Sequence, residues 1–184
     1  MKTLIISILV VLFISIQLVH AADEQQAFNT LTQLKGNWTL AIAELQEGKT
    51  TQNKHVAPLL GTDKTAMSFK VIGKGSAVQE NLLPGTGKEM ATMYHCKDNK
   101  NCNQVVAKHY CAKQNQPEYV VGQISNNSVT FTCDMNESTC QSKSGHVHEI
   151  QHELSNGGNN LKTTYVIFKD NKMKKESIYH FVRK

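Results

Sequence analysis

The densest chemistry in this sequence is the run MYHCKDNKNCNQVVAKHYC, residues 93–111, with three cysteines and two histidines. Imidazole and thiolate together form the ligand set of zinc and copper sites, and a pair of thiols is the unit of disulfide chemistry. Further along, His146-x-His148 sets two imidazoles on one face of a strand, a spacing that suits zinc or copper. Glu80 adds a carboxylate that could work with a histidine as an acid/base pair. No nucleophile elbow, Gly-rich phosphate loop or Cys-x-x-Cys is present. Gly85-Thr86-Gly87-Lys88 matches only the tail of a phosphate loop and reads as a hairpin turn.

The cysteines must be sorted before the histidines can be placed. Cys96 and Cys102 flank five residues, mostly turn formers, and Cys133 and Cys140 flank a similar run at 134–139. Each pair predicts a disulfide across the end of a β-hairpin. Directly opposed residues on antiparallel strands have Cα atoms about 4.5–5.5 Å apart, within disulfide reach. Loop-closure entropy gives such staples about 2–3 kcal/mol each. Cys111 is left over as a free thiol, and its neighbours predict that it is buried and inert.

Each staple predicts a register. If Cys96 opposes Cys102, one face of that hairpin holds Ala91, Met93, His95, Asn103, Val105, Ala107, His109 and Cys111. This face lacks lysine and is assigned to the interior. If Cys133 opposes Cys140, then Val129, Phe131, His146, His148 and Ile150 share the inner face, with His152 continuing the phase nearer the strand end. The two registers together send His95, His109, His146 and His148 to one interior, and a one-residue bulge would turn a strand's set outward.

The elements that position these groups are short and mostly β. Residues 23–34 read as a helix, with Ala27, Leu31 and Leu34 on one stripe and Gly36 just past its end. Strands are predicted at 38–45, 69–72, 76–83, 90–96, 103–111, 118–124, 128–133, 146–154, 162–169 and 176–182, with a long loop at 49–65. The pattern predicts an all-β fold: an up-and-down antiparallel barrel of nine or ten strands with a short N-terminal capping helix.

Residues 1–21 carry Lys2, an apolar run from Leu4 to Leu18 and Val19-His20-Ala21, the pattern of a cleaved signal peptide. The expectation is an exported protein, periplasmic or secreted, with residues 22–184 forming one domain and no membrane anchor after cleavage. Export agrees with disulfide use. The net charge of +5 comes from scattered lysines, and the cluster Lys172, Lys174 and Lys175 follows a turn and reads as a solvated tip. A nucleic-acid face would need a basic stripe with interleaved aromatics, and none is visible.

Several segments together resemble a known family. Gly36-Asn37-Trp38 resembles the Gly-x-Trp signature that opens lipocalin-like, calycin-type barrels. Residues 69–80, Pro84-Gly85, 90–95, His109-Tyr110-Cys111-Ala112, Asn115-Gln116-Pro117, His146-Val147-His148 and 165–170 resemble an uncharacterised family of bacterial lipocalin-like proteins. The resemblance implies one barrel with an internal cavity dotted with polar groups, including His95, His109, Asn115, Gln116, His146 and His148. It also places Cys111 within a family-like motif, while the other four cysteines look like additions.

Three functions compete on this reading. The first is binding of a small, largely apolar or acidic molecule in the barrel. Trp38, Met93, Val105, Val129 and Phe131 would form the wall, and Glu80, Asn115 and the histidines would orient the ligand. The second is a metal or haem site through His146 and His148, completed by His95 or His109. The third is an isomerase- or cyclase-type enzyme using a His/Glu80 pair, for which no catalytic residue is identified. The first needs no cofactor.

Overall fold

The computed structural model describes residues 23–98 and 102–184. The predicted signal segment and the middle of the 96–102 turn lie outside the described residues. Ten antiparallel strands follow one another: β1 (Gly36–Leu40), β2 (Thr65–Ile72), β3 (Ala77–Leu82), β4 (Met90–Cys96), β5 (Val105–Tyr110), β6 (Glu118–Ile124), β7 (Ser128–Cys133), β8 (His146–Ser155), β9 (Asn160–Lys169) and β10 (Lys172–Arg183). Each pairs with its sequence neighbours, and β1 pairs with β10, so the sheet closes into a barrel with no free edge.

Side-chain alternation decides what fills it. Along β3, Val78, Glu80 and Leu82 are buried, and along β5 Val105, Ala107 and His109 are. Trp38, Phe69, Tyr94, Tyr119 and Phe131 are fully buried. The barrel is therefore packed through its middle, with Tyr94 against Phe131 at a ring separation of 4.8 Å.

Residues 23–33 are helical, and Ala27, Leu31 and Leu34 join the core cluster. Trp38 Nε1 donates to the Leu34 carbonyl at 2.9 Å, and the Arg183 guanidinium lies 4.2 Å above the Trp38 ring. Gly36, at φ 136°, allows this crowding, since a Cβ there would sit 3.2 Å from an Arg183 nitrogen. The predicted strand 38–45 is trimmed at Leu40. Two 3₁₀ turns, Ala43–Leu45 and Ala57–Leu59, interrupt the long connection to β2. Among the described residues, no helix is long and apolar enough to cross a membrane.

Both predicted disulfides are present, Cys96–Cys102 and Cys133–Cys140, with Cα separations of 4.9 and 5.6 Å. Cys111 is free, but it is half-buried rather than enclosed.

The first staple does not set the predicted register. Cys96 opposes Val105, and Thr92 opposes His109. Cys102 lies beyond the strand in a left-handed conformation, φ 44°. The disulfide thus joins a strand end to a loop residue. The shift of three positions is odd, so β4 turns its other face inward. Thr92 and Tyr94 are buried, Ala91 and Met93 are half-buried on the outer face, and His95 is exposed.

The second register is displaced as well, because Cys140 sits in a short helix at Ser138–Gln141 and not on β8. Phe131 opposes Ile150 and Val129 opposes His152. This displacement is even, so Val129, Phe131, Ile150 and His152 face inward as the phase predicted. A bulge between Val147 and Glu149 then makes His148 the extra residue of its strand.

Candidate functional site

Three groups of functional side chains result, and they do not coincide. The first lies at the barrel centre. Glu80 on β3 is fully buried and accepts hydrogen bonds from the hydroxyls of Tyr94 and Tyr165, each at 2.5 Å. His152 Nε2 lies 3.0 Å from the Tyr94 oxygen and 3.4 Å from Glu80 Oε2. His152 Nδ1 is 3.1 Å from Thr163 Oγ1. Strands β3, β4 and β8 thus each contribute one member, and β9 two, to a network around one carboxylate.

Burial alone would raise the Glu80 pKa. The hydrogen bond and attraction from His152, with the bonds from Tyr165 and Tyr94, outweigh it and hold Glu80 at about 2. Burial, reinforced by the Glu80 charge, pushes both tyrosines well above their ordinary range. Glu80 is therefore an anion with its acceptors occupied, out of reach of solvent. That is the arrangement of a structural charge rather than of a general base waiting for substrate.

His109, also fully buried, places Nδ1 2.9 Å from Thr92 Oγ1. Its Nε2 has no hydrogen-bond partner among the described residues. Burial pushes this imidazole down to about 4, against the pull of Glu80. His109 is neutral at physiological pH.

The second group lines a cavity of about 130 Å³ at one end of the barrel. Leu83, Met90, Val147, Ile167 and the Tyr179 ring form its apolar side. Tyr165 also lines it, so one ring faces the cavity while its hydroxyl holds Glu80. Lys88, Lys113, Lys175 and His146 supply its ionisable nitrogens, and among the described residues no carboxylate lines it. Lys113 reaches over Gly145, where a Cβ would stand 2.8 Å from Nζ. Cys111 is part of the same wall, its Sγ 3.8 Å from Met90 Sδ.

The third group lies where β7 leads into β8. The His146 ring donates from Nδ1 to the Ser144 carbonyl at 3.0 Å, which leaves Nε2 as an acceptor 3.3 Å from His148 Nδ1. His148 stacks on Phe168 at a ring separation of 4.0 Å. Burial and then the neighbouring His146 push His148 below its ordinary pKa. Cys133 Sγ lies within 4.8 Å of a ligand atom on each ring.

The predicted site residues therefore scatter. Trp38 and Phe131 are core. Glu80 and His109 are interior but enclosed. Met93 and His95 belong to the outer face of β4, because of the odd register shift, and cannot line the interior. His146 reaches the end cavity, while the bulge carries His148 away from it. Asn115 donates from Nδ2 to the Gly145 carbonyl at 3.0 Å and borders a second opening shared with His146. His95 and His109 do not join His146 and His148 in any metal-sized cluster among the described residues.

Sequence reasoning missed Tyr94, Tyr165 and the lysines of the cavity, and placed His152 inward without giving it a role. Tyr94 was lost to the wrong register. Lys175, expected on a solvated tip, is brought to the cavity by β10, whose register shifts between Met173 and Lys175. Set against known proteins, the chain matches no family model and no curated sequence.

Proposed function

We propose that this is an exported, lipocalin-like barrel that binds a compact acidic molecule with an apolar body at one end of the barrel. One observation carries the reading: the end cavity combines aliphatic and aromatic walls with three lysines and a histidine, and among the described residues no carboxylate lines it. A site of single-sign charge beside low-dielectric walls attracts the opposite charge and holds the apolar remainder. The volume of about 130 Å³ is below the range of drug-sized pockets, so the occupant is small or inserts one end of a longer chain.

The calycin-type identity is part of this proposal. Its supports are the closed ten-stranded meander, Gly36-Asn37-Trp38 on the first strand, and the apolar face of residues 23–33 packed into the core as a cap. Export is supported by two disulfides. Glu80 and His152 are closed to a substrate, which weighs against the isomerase or cyclase reading.

The test is titration with an anionic aromatic fluorophore and its uncharged isostere. The expected result is saturable binding of the anion, weakened at least tenfold in a Lys88→Ala, Lys113→Ala, Lys175→Ala variant, with the isostere unaffected. All three lysines are exposed, so the variant should fold. Equal affinity for the anion before and after removing the lysines would sink the proposal.

A further inference from the structure

We propose that Cys133, Cys140, His146 and His148 form a tetrahedral zinc-type site that is closed while the disulfide stands and opens when it is reduced. Among the described residues, the one group of three or more potential ligands within 4.8 Å of one another is Cys133, His146 and His148. Cys140 is covalently bound to the first of these, so a second sulfur stands beside the cluster, outside the 4.8 Å group, and would have to turn toward it. Two thiolates and two imidazoles are a complete structural zinc set.

The spacing of the two imidazole nitrogens matches one edge of a tetrahedral site. Zinc–nitrogen bonds of about 2.0–2.1 Å place two ligand nitrogens about 3.3–3.4 Å apart along a tetrahedral edge. The observed separation of His146 Nε2 from His148 Nδ1 is 3.3 Å. The outer contacts also fit. His146 gives its other ring N–H to the Ser144 carbonyl, the usual anchor of a metal-bound imidazole. The bulge at His148 swings its ring against Phe168, which holds it beside His146. An opening lined by Ser138, Thr139, Ser142, Ser144, Asn115 and His146 gives a path to the cluster.

The disulfide is the gate. Its sulfurs carry no thiolate charge, so the oxidised protein offers two nitrogens and no anionic ligand. A dithiol reductant breaks the S–S bond by exchange. Two electrons pass to the cysteines, the reductant becomes a disulfide, and two thiols appear. Metal entry then forms two metal–sulfur and two metal–nitrogen bonds, releases both thiol protons and requires the His148 ring proton to shift from Nδ1 to Nε2, with no further redox change. Rotation of the two cysteine side chains separates the sulfurs to about 3.8 Å, the edge expected for zinc–sulfur bonds of about 2.3 Å. The small-ligand reading does not enter this argument, although His146 borders both sites.

The test uses cobalt(II) as the metal. The full chain carrying Cys96→Ser, Cys102→Ser and Cys111→Ser keeps only the Cys133–Cys140 pair. The expected result is a thiolate-to-cobalt charge-transfer band at one equivalent after phosphine reduction, and none before it. His146→Ala and His148→Ala should each weaken binding at least about tenfold. The proposal is overturned if the reduced protein shows no such band, if the oxidised protein binds equally, or if the histidine variants bind unchanged. Should the triple variant not fold, the wild-type chain is reduced and alkylated with and without zinc. Zinc should then protect Cys133 and Cys140 but not Cys96, Cys102 or Cys111, and uniform labelling would overturn the idea. Failure of fluorophore binding leaves this result untouched, which separates the two proposals.

Discussion

Replacing Glu80 by glutamine tests the centre of the barrel directly. Glutamine keeps the shape but removes the charge, and it offers a donor where Tyr94 and Tyr165 both donate. The folded-state pKa of about 2 lies below the ordinary 4.5. Stability from this carboxylate is thus fully present above about pH 4.5 and is lost as pH falls toward about 2. The shift corresponds to about 3 kcal/mol at pH 7, within reach of the roughly 3–5 kcal/mol lost when a buried pair is broken. For a barrel of this size that lowers Tm by about 6–12 °C. Linkage also predicts how the deficit fades: at pH 3 the gap between wild type and Glu80→Gln shrinks to about 1 kcal/mol. Thermal unfolding followed by circular dichroism at pH 7, 5 and 3 measures it. A gap that stays constant from pH 7 to pH 3, or a Tm change under about 2 °C at pH 7, would show that Glu80 does not sit as an ionised hub.

His109 makes a separate pH signature. Its folded-state pKa of about 4 is below 6.5, so folding favours the neutral ring, and stability is lost as pH falls from about 6.5 to about 4. The loss amounts to about 3 kcal/mol, and His109→Gln, compared with wild type by urea unfolding at pH 7 and 4.5, should remove it. His95 is exposed, and its ring bonds through Nδ1 to the Cys96 carbonyl at 3.0 Å. His95→Ala should change unfolding free energy by less than about 0.5 kcal/mol and leave fluorophore binding unchanged.

What the sequence discloses here follows from how local each signal is. The strands from β4 to β9 are legible because alternation and turn residues are local. Asp170 and Asn171 adopt positive φ of 55° and 57°, the two-residue hairpin turn their types announce. A disulfide, by contrast, reports nearness and not pairing. Read as a register, Cys96–Cys102 is wrong by three and inverts β4, while Cys133–Cys140 is wrong by an even number and leaves β7 and β8 correctly faced. Parity misplaced His95, and the bulge at 147–149 misplaced His148. The hub around Glu80 joins residues 80, 94, 152 and 165, which no spacing rule connects. Its one sequence trace is a carboxylate in the same phase as Val78 and Leu82, since an inward charge demands partners.

The closure of the barrel also sets the order in which it can be made. Thr39 on β1 meets Val182 on β10 across 143 residues of chain. Every other ladder joins strands adjacent in sequence, so nine hairpin-like pairings can form progressively, and the tenth waits for the last strand. Until then β1 and β10 each present an unpaired edge, and Trp38 lacks the Arg183 cation that covers its ring. Such a long-range final contact raises contact order and slows folding. An intermediate with two open edges is exposed to pairing with other chains, so the seam between the first and last strands is the step on which the yield of folded protein depends.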